Sequence, residues 1–173
     1  GWTTAGADRR IEFADTPARS GHIGVGVLGT GAFATSVLLP KIQREASLRP
    51  VIVCSASGAS ATRVGRQLAF SAATSAEDEV FEHPDVHAVF SITPHHEHAR
   101  HVIKAIRAGK SIFIEKPLCL TIEELAEIER ALQEAGDKRQ LVMVGFNRRF
   151  SPAAIRVREA FAGVIAPKTV AIR

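Results

Sequence analysis

Apolar, strand-like segments alternate with helical patterns along most of this chain, and that alternation limits its possible folds more than any other feature. Residues 22–28, 51–55, 86–92, 110–114 and 140–146 read as strands. Strands separated by helix-length stretches form crossover units, which assemble into a parallel sheet with helices on both faces. The helices carry recognisable ends. Thr93-Pro94 offers a cap followed by a first-turn proline, and Gly109 fits the terminating position after Ala105, Ile106 and Ala108. Thr121 and Glu124 have capping-box spacing, Leu125, Ile128 and Leu132 recur at helical spacing, and Gly136 ends that run. Pro40 is expected to kink or restart the first helix. A length of 173 residues with 46% hydrophobic content suffices for one domain with a sizeable core. The expected fold class is α/β, a doubly wound parallel sheet over residues 22–146.

Residues 1–21 carry Asp8, Arg9, Arg10, Asp15, Pro17 and Gly21 without sustained periodicity and read as a linker or loosely docked arm. Past Phe146 the pattern changes. Residues 147–151 are polar and basic, Pro152 starts a helix to about Phe161, and residues 168–172 begin a strand with no partner left in sequence. Residues 147–173 are therefore expected to open a second α/β domain that is incomplete here. The chain begins with Gly1 and its only methionine is Met143, so it is expected to be excised from a longer protein.

Composition removes several function classes. The net charge of +4, from 22 basic and 18 acidic residues, includes Arg9-Arg10 and Arg148-Arg149 but no long basic stripe, so nucleic acid is not an expected partner. No run of 18 apolar residues marks a membrane span, and the polar opening lacks a signal-peptide core. A cytoplasmic protein is expected. Cys54 and Cys119 lie in or beside apolar segments, as free buried thiols do, and no disulfide framework is expected.

Two overlapping frames fit a dinucleotide-binding glycine pattern: Gly24, Gly26, Gly29 and Gly29, Gly31, Ala34. The pattern has meaning only between a strand and a helix, and residues 18–21 form no buried strand before the first frame. In the second frame Gly29 makes the tight turn, Gly31 lets the backbone approach a pyrophosphate, and Ala34 permits close helix–strand packing, as in Rossmann-type sheets. Amide hydrogens at the helix start then meet the phosphates. By itself such a turn also suits a fold that binds another nucleotide or none. The acidic residue expected about 20 residues on, where it would hold ribose hydroxyls, is absent from residues 51–58. Ser55 and Ser57 stand there, and with Arg63 nearby they can accept a 2′-phosphate, so NADP is as eligible as NAD.

Glu115-Lys116-Pro117 closes the apolar segment at 111–114, and open parallel sheets bind ligands at such strand ends. A lysine beside a nicotinamide ring has a chemical use, since oxidising a secondary alcohol also requires loss of the hydroxyl proton, which an amine can hydrogen-bond and relay. Burial or a neighbouring charge must lower such an amine's proton affinity for it to act near neutral pH. Glu115 would oppose that lowering if close, although adjacent strand residues point to opposite faces. The bland alternative is a surface lysine ending a strand. A methyltransferase using adenosylmethionine would share the glycine turn but leave Glu115-Lys116-Pro117 without a purpose.

His95, His96, His98 and His101 invite a metal reading, but Arg100 occupies the place where a zincin helix needs its second histidine, and no metal is expected. One or two of these histidines should line the cofactor cleft, the rest being solvated. Arg148, Arg149, Arg156 and Arg158 can bind an anion, although a solvated helix face accounts for them as well.

With Gly29-Thr30-Gly31-Ala32-Phe33-Ala34, Thr93-Pro94-His95, His98, Glu115-Lys116-Pro117 and residues 145–152 (Gly-Phe-Asn-Arg-Arg-Phe-Ser-Pro) in that order, the chain resembles the Gfo/Idh/MocA oxidoreductases from residue 22 to about 173. The resemblance implies an NAD- or NADP-binding domain followed by a larger open-sheet domain that holds a sugar, cyclitol or related polyol. By position, Gly29, Thr30, Gly31, Ala32 and Phe33 would cradle the pyrophosphate, Thr93, Pro94 and His95 would border the ribose and nicotinamide, Glu115 and His98 would flank the cofactor, and Lys116 would be the catalytic lysine. The family often has asparagine where His95 stands and an acidic residue where Ser55 or Ser57 stands, which leaves the cofactor choice open. Its second domain usually brings an aspartate–histidine pair that this chain ends before, so alone the chain should bind cofactor at best, and any homo-oligomer would form through that domain. The polar arm is also similar to the linker of bi-domain proteins in which such a module follows a zinc-dependent alcohol dehydrogenase-like part. The rival reading is a catalytically inactive dinucleotide-binding or regulatory module.

Overall fold

The computed structural model of the chain describes residues 10–13, 21–136 and 140–166. Among these, seven strands form one sheet: β1 (Arg10–Glu12), β2 (Ile23–Leu28), β3 (Leu48–Cys54), β4 (Ala72–Thr74), β5 (Ala88–Ser91), β6 (Ser111–Glu115) and β7 (Val142–Gly145). Their spatial order is β1-β4-β3-β2-β5-β6-β7, parallel throughout except for β1, which pairs antiparallel with β4. The chain steps outward from β2 to β3 and β4, then returns to β5 on the other side of β2. That reversal opens a crevice at the carboxyl ends of β2 and β5, where doubly wound sheets take their ligands.

The helices are α1 (Leu39–Arg44), α2 (Gly58–Gln67), α3 (Asp78–Glu82), α4 (His98–Arg107), α5 (Ile122–Ala135) and α6 (Pro152–Ala160). Two buried clusters cover the two faces of the sheet. Val25, Val27 and Val53 pack with Ala34, Leu39, Ala61 and Val64, whereas Ile52, Val89, Ile112 and Ile114 pack with Val102, Ile106, Ile128 and Ala131. The split follows from strand alternation, which sends Ile52 and Val53 to opposite faces. Each fully buried aliphatic side chain contributes about 1.5–3 kcal/mol to holding the layers together.

Several sequence expectations meet the structure closely. The capping box at Thr121 and Glu124 is formed, with Glu124 N–H donating to Thr121 Oγ1 at 3.2 Å and Thr121 N–H to Glu124 Oε2 at 3.3 Å. Pro40 sits in the first turn of α1, and the turn before it, Ala34–Leu38, is wound as a wider π-helix. Pro40 has no N–H to offer that turn.

Other expectations are corrected. β3 begins at Leu48, not Val51: Pro50 pairs with Val25, and the register slips there so that Ile52 pairs with Gly26. The irregularity accommodates a residue with no N–H inside a strand. β4 is three small buried residues, too short to show a period. Arg10–Glu12, read within a loosely docked arm, forms the edge strand β1, and Phe13 packs beside the core with Arg66 over its ring at 5.7 Å. Thr93-Pro94 does not cap a helix: a 3-10 turn, His95–Glu97, follows Pro94 without a side-chain cap, and α4 starts at His98. Leu132 faces outward on α5, whose buried positions are Ile128 and Ala131. The strand expected at 168–172 lies outside the described residues, while α6 ends one residue before Phe161. No helix among the described residues is long and apolar enough to cross a membrane.

Candidate functional site

The site is assembled from the loops that leave β2, β3, β5, β6 and β7 at one edge of the sheet. Gly24 and Gly26 lie inside β2, so the turn belongs to Gly29, Gly31 and Ala34. Gly29 has φ +99°, and a Cβ there would stand 2.2 Å from the Ile92 carbonyl oxygen, so the loops after β2 and β5 touch through a position only glycine fills. At Gly31 an added Cβ would meet nothing within 4 Å, because that position faces the open cleft.

Two adjoining hollows flank this turn. One, of about 770 Å³, is bordered by Gly31, Ala32, Phe33, Thr93, His95, Glu115 and Lys116, and by residues 145–149 on the far side. The other, of about 630 Å³, is bordered by Gly29, Thr30, Ser55, Ser57, Thr93, Pro94, Glu77, Glu97, Arg100 and His101. They share Gly31, Ile92 and Thr93. An extended two-lobed ligand with its narrow middle over Gly31 matches this outline.

In the first hollow Lys116 is exposed, and no ion pair among the described residues engages its ammonium. Glu115 faces the same hollow. The expectation that the two would point apart fails because β6 ends at Glu115, so strand alternation no longer governs Lys116. The Glu115 carboxylate accepts from Asn147 Nδ2 at 2.9 Å and from the Lys116 N–H at 3.3 Å, which turns it toward the segment after β7. Arg148 and Arg149 border this hollow, with Arg149 over the Phe150 ring at 5.1 Å, while Arg156 and Arg158 lie exposed on α6.

In the second hollow Thr30 Oγ1 donates to Ser55 Oγ at 3.0 Å and lies 2.8 Å from Ser60 Oγ. Ser57 caps α2 through the Ser60 N–H at 3.4 Å. Arg63 does not join them: it is exposed and borders a separate hollow with Arg66 and Gln67. Cys54, at the end of β3, has its thiol pushed up to about 12 by burial and then by the charges of Glu77 and Glu79, and is inert as a nucleophile.

The histidines divide differently from expectation. His95 borders the first hollow and His96 is exposed, but His98 and His101 are buried, with 0% and 2% exposure. His98 therefore does not flank the cleft directly: its Nδ1 lies 2.5 Å from the Pro117 carbonyl oxygen and its Nε2 3.0 Å from that of Thr93. Burial lowers the His101 pKa, outweighing the opposite pull of Glu77. The neutral ring donates Nε2–H to Glu77 at 3.1 Å and accepts at Nδ1 from Ser91 Oγ at 2.9 Å. Sequence reasoning missed Glu77 as a site neighbour, and nothing local to it signals that role. Burial alone would raise its pKa, but hydrogen bonds from Arg100, Lys104 and His101 hold it down to about 2. Glu77, Glu97 and His101 gather three potential metal ligands within 4.8 Å of one another, yet Arg100 bridges both carboxylates and Lys104 Nζ reaches Glu77 at 2.6 Å, so protein cations already answer that charge.

A nucleotide with two phosphates at its centre fits these residues: the open backbone at Gly31 admits phosphates, the hydroxyls of Thr30, Ser55 and Ser57 suit a ribose, and Lys116 stands at the opposite end. These features define a dinucleotide-binding doubly wound domain. Residues 23–146 match the family model described as the Gfo/Idh/MocA oxidoreductase family, NAD-binding Rossmann fold, and the chain belongs to that family. Among curated relatives, a scyllo-inositol 2-dehydrogenase (NAD(+)) of Bacillus subtilis (strain 168) is 40% identical over 54% of this chain and 26% of its own. A levoglucosan dehydrogenase of Pseudarthrobacter phenanthrenivorans is 35% identical over 77% of this chain and 34% of its own. A crystal structure of a 3-ketoreductase from Actinomadura kijaniata in complex with NADP superposes with TM-score 0.72 at 26% identity, over 83% of this chain and 45% of that one. The chain thus spans about a quarter to a third of the length of these curated relatives.

Proposed function

We propose that this chain is the cofactor-binding portion of an NAD(P)-dependent dehydrogenase acting on a sugar, cyclitol or related polyol. The observation that carries the reading is the pair of hollows joined over Gly31, with Lys116 at one end and the Ser55 and Ser57 hydroxyls at the other. In this assignment the backbone from Gly29 to Phe33 and the Thr93-Pro94-His95 loop hold NAD or NADP along the sheet edge. The nicotinamide, when bound, supplies the hydride acceptor in oxidation and the donor in reduction. Lys116 hydrogen-bonds the alcohol oxygen and relays its proton as the carbonyl forms. Glu115, held by Asn147, borders the same hollow as Lys116. Inositol and levoglucosan, named for the two curated relatives, indicate the substrate class, a ring carrying several hydroxyls. The remainder of the substrate site is assigned to the part of the protein that follows residue 173, together with any subunit contacts.

Titrating NADH and NADPH into the purified chain while following nicotinamide fluorescence tests this reading. Saturable enhancement with at least one of them is expected. No response to either assigns the chain to a module that does not use a nicotinamide cofactor.

A further inference from the structure

We propose that Phe146 is the substrate platform of this site, its ring taking the C–H face of a cyclic polyol while Lys116 takes the hydroxyl oxygen. The inference rests on the dehydrogenase reading and deepens it, because it names the surface that selects a ring-shaped substrate. Phe146 borders the hollow that holds Lys116, is 57% exposed, and belongs to neither buried cluster. Its place follows from the strand order. Along the sheet edge come the glycine turn after β2, Thr93 after β5, Lys116 after β6 and Phe146 after β7, the outermost strand. With phosphates over Gly31 the nicotinamide lies between that turn and Lys116, so Phe146 stands beyond the lysine, on the side left to the substrate.

Neighbouring contacts fix the backbone around this ring. Phe146 N–H donates to the Val144 carbonyl oxygen at 2.8 Å, and the next side chain, Asn147, donates to Glu115 at 2.9 Å. That second contact needs Gly145, where a Cβ would stand 2.9 Å from Glu115 Oε1 and 2.8 Å from Phe113 Cζ. A ring polyol carries its hydroxyls around an apolar face of C–H groups. Those hydrogens are slightly positive and the face of an aromatic ring is negative, so the two attract beyond the area they bury. Ligand sites commonly pair such an apolar wall with a few polar groups that fix orientation, here Lys116, Glu115 and Asn147.

The test uses the full-length protein with whichever of NAD and NADP it binds more tightly, and with inositol and levoglucosan as probes. Phe146→Ala should raise the KM of the probe that is turned over by about tenfold while cofactor affinity stays within about twofold of wild type, as loss of one ring contact to substrate requires. Phe146→Tyr keeps the ring and should hold KM within about threefold of wild type. An unchanged KM in Phe146→Ala, an equal loss of cofactor affinity, or a Phe146→Tyr as impaired as Phe146→Ala each overturns the proposal. Should Phe146→Ala not fold, saturation transfer from phenylalanine ring protons of wild type to the C–H protons of the bound probe decides: transfer is expected, and none overturns the platform. A wild type that binds cofactor but turns over neither probe contradicts the ring-polyol substrate class, and the proposal falls with it. Turnover that Phe146→Ala leaves untouched contradicts the proposal alone.

Discussion

Thr30 Oγ1 donates to Ser55 Oγ at 3.0 Å, so an uncharged hydroxyl pair joins the glycine turn to the end of β3. An acidic residue reading the ribose hydroxyls would be expected near that strand end, and it would repel a 2′-phosphate. The hydroxyls repel neither cofactor. Ser55→Asp should shift preference toward NAD, weakening NADPH at least about tenfold relative to NADH, as a fixed like charge of about 1–2 kcal/mol requires. Fluorescence titration of both cofactors measures the ratio, and an unchanged ratio would place the ribose elsewhere.

Gly29 and Gly31 should separate folding from binding. Gly29→Ala combines φ +99° with a Cβ 2.2 Å from the Ile92 carbonyl oxygen, and a loss of at least about 1–3 kcal/mol is expected in urea unfolding. Gly31→Ala has open space around its Cβ, so stability should remain near wild type while the methyl group intrudes on the phosphates and weakens NADH. The reverse ranking would contradict the placement of the turn.

Glu77 predicts a pH dependence of stability. Its folded pKa lies below the ordinary 4.5, at about 2, so the stabilisation it brings is complete above pH 4.5 and disappears as pH falls toward 2. Glu77→Gln should cost about 1–2 kcal/mol at pH 7, a figure reduced for the partial exposure of the carboxylate. The gap between wild type and variant should close across that acid window. Chemical denaturation at a series of pH values measures it, and a gap that persists to pH 2 would remove Glu77 from the network.

Cys54 should resist alkylation. Its thiol is buried and shifted up to about 12, whereas Cys119 is only half-buried. Mass spectrometry after iodoacetamide treatment at pH 8 should find Cys119 modified first and Cys54 protected until the chain unfolds. Equal rates would mean that the end of β3 opens readily.

The sheet and the positions of the glycine turn and Lys116 were legible because their signals are local: apolar runs, a turn that needs glycine, a proline after a strand. What stayed hidden depends on distant partners. Arg10–Glu12 is a strand only because Ala72–Thr74 lies beside it, and neither has a period of its own. Pro50 stands inside β3, and only the register slip against β2, set by a distant strand, makes room for it there. His98 and His101 look alike in sequence to the exposed His96, and their burial follows from the face of α4 that packs inward. Glu77 gains its role from Arg100 and His101, which lie 23 and 24 residues further along the chain and share no sequence motif with it.

The central assignment, Lys116 as the group that handles the substrate proton, is tested most directly in the full-length protein with Lys116→Ala. NADH affinity should stay within about twofold of wild type, while turnover of a cyclic polyol falls by about a hundredfold or more, as removal of a proton-transfer group requires. Turnover equal to wild type, with cofactor still bound, would contradict the account.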